Sequence, residues 1–180
     1  MRRIIRFALF GAGGFGIGGG IGGIIAVDAA TFFGFAIMGG IGGMSLGLAL
    51  KSWRMAGFLA LAGMVGLSLG IFISVFIGMA FPLPSLLGRL TVAGAVTGLA
   101  LGLPLKSWKA SGILALTGAL AFIIVEQVQI FVPLGLITPQ LLSRVIQMVI
   151  WGVIGGTLWG VALGYLTKTL KGAVLVNTIH

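Results

Sequence analysis

The chain has 180 residues, 59% of them apolar, with 33 Gly, only 7% charged and a formal net charge of +9. A soluble domain keeps about a quarter of its residues charged to face water, so the solvent implied for most of this chain is lipid. A basic nucleic-acid-binding face is excluded on the same ground, because the positive charges stand between apolar runs instead of on a soluble surface.

Apolar runs of roughly 20 residues cross a bilayer core of about 30 Å. Such runs predict six transmembrane helices near 4–27, 31–50, 54–80, 88–105, 109–131 and 145–166. The runs do not alternate with period two, so an all-α polytopic membrane protein is expected and a β-barrel is not.

The first run follows MRRIIR and has the outline of a secretory signal peptide. It is longer and richer in Gly than a signal core, so it is read as the first span. Its GAGGFG, 11–16, spells a dinucleotide fingerprint. No acid stands about 20 residues on, and the segment is a membrane span, so no cofactor is expected.

The second run carries Gly39, Gly43 and Gly47 and ends at Lys51. The turn that follows, KSWRMAG at 51–57, returns as KSWKASG at 106–112, after a fourth run carrying Gly94, Gly98 and Gly102. The sixth run carries Gly156, Gly160 and Gly164 and leads to Lys168. Three helices thus share G-x3-G-x3-G-x3-K, the small-residue spacing that lets helices approach closely in lipid. These nine glycines are the expected helix-packing residues.

The outward-running helices are expected to answer one another. Ala12, Gly16 and Gly20 of the first are matched with Ala62, Gly66 and Gly70 of the third and with Thr117, Ala121 and Val125 of the fifth. The connectors PSLLGR at 84–89 and PQLLSR at 139–144 repeat at the same 55-residue step as the KSW turns. Together these predict one membrane domain over residues 1–180, built as three Gly-rich hairpins. The units cover about 34–89 and 89–144, with the third split between 145–180 and 1–33. A split third unit requires the sixth helix to lie beside the first.

Of the 11 Lys and Arg, all but Arg89 and Arg144 fall on one set of alternate sides. That bias predicts cytoplasmic termini, and with the short loops it suits a plasma membrane, specifically a bacterial inner membrane. Lys51, Trp53, Arg54, Lys106, Trp108, Lys109 and Lys168 then mark the inner boundary, as interfacial anchors and as a basic–aromatic cluster suited to anionic lipid. Ser52 and Ser107 are placed to N-cap the helices that follow.

The other boundary holds the two acids, Asp28 and Glu126, with Arg89 and Arg144. Asp28 reads as a helix-start acid. Glu126 lies about 24 Å along its helix from Ala110 at 1.5 Å per residue, near the outer edge of the core. Outer-side ion pairs among these four are expected, with Arg144 as the partner of Glu126.

Without Cys, with one His at position 180 and with two acids, no metal centre, catalytic triad or paired-carboxylate site can be assembled. Catalysis by this chain alone is not expected. The reading that follows is a structural or accessory subunit of a larger membrane complex, partnered by the bilayer and by other membrane subunits. The alternatives are a small transporter or channel of three hairpins, and a binder of an apolar lipid, quinone or pigment. A transporter would need a lining, and the residues on offer are Ser45, Ser68, Ser74, Thr91, Thr97, Thr117, Gln147 and Thr157.

Overall fold

A computed structural model describes residues 1–26, 31–80, 89–131 and 139–169, with the backbone alone for 89 and 129–131. The described chain is all-helical. Its elements are α1 (Arg2–Ile25), α2 (Thr31–Ala49), α3 (Trp53–Ala80), α4 (Arg89–Gly102), a 3₁₀ turn (Leu103–Leu105), α5 (Trp108–Phe131) and α6 (Gln140–Thr169).

Five of the six helices are long and apolar enough to cross a membrane by length and composition. The fourth is not. The 88–105 run yields an α-helix of 14 residues, about 21 Å long at 1.5 Å per residue. Pro104 has no N–H to continue an α-helix, so the backbone tightens into the 3₁₀ turn and closes at Lys106. The sixth helix is longer than its apolar run, with 30 residues starting at Gln140.

The helices close into a ring, each packed on its chain neighbours and α6 packed on α1. The most extensive contact in the molecule is the one between α1 and α6, the first and last helices. Inside the ring, Phe15, Leu67, Phe122 and Trp159 are 0–1% exposed. The outside is also apolar, with Leu9, Leu61, Phe76 and Leu116 more than half exposed, as expected of a surface that faces lipid instead of water.

Candidate functional site

The glycines assigned to packing are all buried, and they lie against backbone. Gly39 and Gly63 press on each other's carbonyls across α2 and α3. Gly94 and Gly118 do the same across α4 and α5, and Gly156 and Gly11 across α6 and α1. One turn further along, Gly43 lies over the Leu59 carbonyl, Gly98 over that of Leu114 and Gly160 over that of Phe7. Gly47 then meets Ala56, Gly102 meets Ser111, and Gly164 approaches Ile4 less closely. A Cβ at Gly39, Gly43, Gly94, Gly98, Gly156 or Gly160 would overlap the facing main chain. Only Gly permits this approach, which brings whole backbones into dispersion contact.

The α1 register differs from the sequence reading. Gly66 and Gly70 face α4, at Thr97, Ala100 and Ala93. Gly16 and Gly20 instead face Val153 and Val149 of α6. The residues of α1 that stand to α2 as Gly66 and Gly70 stand to α4 are Gly14, at Ser45, and Gly18, at Met38. Glycine on nearly every side of α1 makes its spacing fit more than one register.

The two KSW turns are built alike. Lys51 and Lys106 both take a left-handed conformation, with φ of 62° and 50°. A helix often ends on such a residue, usually Gly. Ser52 Oγ accepts the N–H of Met55 and Ser107 Oγ that of Ala110, both at 3.3 Å, so each serine caps the next helix. Lys51, Arg54, Lys106, Lys109 and Lys168 are exposed, as are Trp53 and Trp108, at 75% and 84%. At the same end Arg6, which the sequence reading left unassigned beyond its charge, donates to the Ala49 carbonyl at 2.6 Å and closes the end of α2.

At the opposite end one of the expected pairs, Glu126 with Arg144, does not form. Arg144 Nη1 donates to the Ala26 carbonyl at 3.1 Å, capping the end of α1. Glu126 is 3% exposed, and neither of its carboxyl oxygens forms a hydrogen bond among the described residues. The pairing of Glu126 with Arg144 is therefore not formed; Arg144 reaches a helix end. Asp28 and the Arg89 side chain lie outside the described residues.

Glu126 shares its face of α5 with Phe122, one turn away, whose ring contacts Trp151 of α6 at 6.0 Å. The Trp151 indole N–H is also buried without a hydrogen-bond partner among the described residues. Further in, Trp159 is fully buried and donates to the Leu114 carbonyl at 3.2 Å. Its ring lies 5.0 Å from that of Phe15. In the register of the glycine seams, Trp159 occupies the place of Gly42 in α2 and Thr97 in α4. The signal for it was a large residue next to Gly160 on an otherwise small face.

Four of the eight candidate lining residues bond to their own helix backbone. Ser74 donates to Gly70, Thr97 to Ala93, Thr117 to Ile113 and Thr157 to Val153, at 2.6–2.7 Å. Ser45 lies within hydrogen-bond reach of the Phe10 and Gly42 carbonyls, at 2.8 and 2.7 Å, and so ties α2 to α1.

Cavities lined by described residues lie on a helix pair and at a turn. One, of about 480 Å³, is an apolar groove along α1 and α2, floored by Gly13 and Gly14. Another, of about 230 Å³, lies at the second KSW turn. Among the described residues no cluster of three or more metal-ligating side chains occurs. No family model matches the chain, no curated protein matches its sequence and no solved structure matches its fold.

Proposed function

We propose that the chain is a structural or accessory subunit of a larger membrane protein complex. It would span a plasma membrane with its lysine end on the cytoplasmic side, as three copies of one glycine-packed hairpin closed into a ring. The threefold recurrence of the glycine approaches and the α1–α6 contact support that architecture.

The observation that carries the accessory reading is the groove on α1 and α2. The seams use up most of the glycines internally, yet Gly13 has nothing within 4 Å of where its Cβ would be. It opens onto the lipid-facing groove between Leu9, Ile17, Ile41, Met44 and Leu48. A small-residue floor with apolar walls suits a transmembrane helix of a partner. Purification in a mild detergent tests it. A stoichiometric companion should appear, and Gly13→Leu should release it while Gly57→Leu, at another open glycine, should not. A chain that purifies alone, or a companion indifferent to Gly13→Leu, would overturn the reading.

A second reading is favoured by Glu126. A buried ionisable side chain within a membrane span is a functional residue by default. Transport of a proton or cation past it would be lost in Glu126→Gln when flux is measured in proteoliposomes. Unchanged flux in that variant removes this reading.

A further inference from the structure

The two KSW turns can be compared with one another, and they differ at two buried positions, Met55 against Ala110 and Ala56 against Ser111. Ala56 packs on Gly47 at the first turn, and Ser111 takes its place on Gly102 at the second. Ser111 is 2% exposed and lines the cavity of about 230 Å³ together with Leu103, Lys106, Ser107 and Trp108. Among the described residues its hydroxyl forms no hydrogen bond, and the side chain stands between Gly102 and the cavity. Such a hydroxyl is a donor open to a ligand.

Its surroundings offer donors and positive charge. The cavity sits at the start of α5, a helix of 24 residues with no acid in its first turn. Ser107 takes the Ala110 N–H, which leaves the N–H groups of Trp108 and Lys109 without helical partners. These point out of the positive end of the helix. Lys106 adds an ammonium at the rim. An anion with several acceptor oxygens suits such a set, and phosphate is the common one at helix N-termini. The walls add a second constraint. Leu103 and Trp108 are 61% and 84% exposed, an apolar margin that a free phosphate would leave bare and a lipid would cover.

We propose that the second KSW turn binds the phosphate of an anionic phospholipid, held by the Ser111 hydroxyl, the Lys106 ammonium and the first amides of α5. Its glycerol and chains lie along Leu103 and Trp108. The first turn has the lysine, serine and tryptophan but Ala56 in place of the buried hydroxyl, and it does not form the site. The inference rests on reading the lysine end as a membrane boundary. It does not depend on a partner subunit, so co-purification and lipid retention report separately.

The test is native mass spectrometry of the intact chain in mild detergent, with phosphatidylglycerol, phosphatidylcholine or inorganic phosphate added. One phosphatidylglycerol should be retained per chain, with phosphatidylcholine at least tenfold weaker. Ser111→Ala and Lys106→Asn should each weaken retention by about tenfold, the scale of one charge-assisted hydrogen bond. Lys51→Asn should leave it unchanged. Asn tolerates the left-handed conformation, so both lysine variants keep the turn, and helix content by circular dichroism checks this. If Lys106→Asn unfolds the chain, Ser111→Ala alone decides. Equal retention in Ser111→Ala and wild type overturns the proposal, as does equal weakening by Lys51→Asn or equal binding of phosphatidylcholine. Displacement of the lipid by millimolar inorganic phosphate would show a free-phosphate site and also overturn it.

Discussion

Adding one methyl group at Gly43 tests the backbone seams most directly. In a helix interior Gly→Ala is worth about 1 kcal/mol in favour of the helix, so on local grounds Gly43→Ala should stabilise. The structure reverses the sign. The new Cβ would overlap the carbonyl carbon and oxygen of Leu59 and the amide nitrogen of Ala60. All three are main-chain atoms, so no side chain can rotate away and α2 and α3 must part. Overpacking of this kind costs about 1–3 kcal/mol. A gap of 0.5–1 Å also forfeits about a quarter to a half of each dispersion contact along the seam. After the local gain is deducted, a net loss of about 1–2 kcal/mol is expected.

Gly57 is the control. It lies on α3 with nothing within 4 Å of a Cβ, so Gly57→Ala should gain up to about 1 kcal/mol. Unfolding in mixed micelles of rising SDS content, followed by circular dichroism, compares the two. Gly98→Ala and Gly160→Ala should lose stability with Gly43→Ala, because each faces a backbone carbonyl in the same way. Gly43→Ala as stable as wild type, or Gly57→Ala as damaging as Gly43→Ala, would refute the reasoning.

Other substitutions read other parts of the fold in the same unfolding assay. Trp159→Ala empties a fully buried site and should cost about 3–5 kcal/mol. Trp159→Phe keeps the ring contact with Phe15 but loses the hydrogen bond to Leu114, and should cost about 1 kcal/mol. Lys51→Gly removes an L-residue from a left-handed position and should gain about 1 kcal/mol, so an unchanged midpoint would mean the turn relaxes. Glu126→Leu removes a buried carboxyl that forms no hydrogen bond among the described residues and should raise stability by about 1–3 kcal/mol. A loss in that variant would show that Glu126 has a partner in the folded protein.

The parts of the fold legible in the sequence are those where one residue type has one use. A lysine between two apolar runs marks a turn, and a serine after it caps the next helix. Gly43, Gly98 and Gly160 could be read because each stands in a sparse row that ends at a lysine. The row in α1 could not be read, since Gly13, Gly14, Gly16, Gly18, Gly19 and Gly20 offer several faces. Only the helices packed on either side choose Gly11 and Gly19 for α6 and Gly14, Gly18 and Gly22 for α2 as close contacts. The partner of Arg144 was illegible for a different reason. Opposite charge pointed to Glu126, but helix ends expose carbonyls that carry no sequence signal, and Arg144 reaches one of these. Likewise, an apolar run of adequate length did not reveal that Pro104 would convert the end of the fourth helix to a 3₁₀ turn.

The seam between α5 and α6 is not one of the three that glycine pairs close. It is the least extensive contact between neighbours in the ring. Trp159 stands in it where the other inner helices have Gly42 and Thr97, and no glycine pair closes it. Among the described residues, the buried side-chain groups without hydrogen bonds on these two helices are the Glu126 carboxyl and the Trp151 indole N–H, and Phe122, one turn from Glu126, contacts Trp151. A double-mutant cycle decides whether they share an occupant such as a water or a cation. If Glu126→Leu and Trp151→Phe change stability additively, to within about 0.5 kcal/mol, the two groups are independent. A coupling above about 1 kcal/mol would mean that one occupant bridges them, and the α5–α6 seam would then be a site built by leaving glycine out.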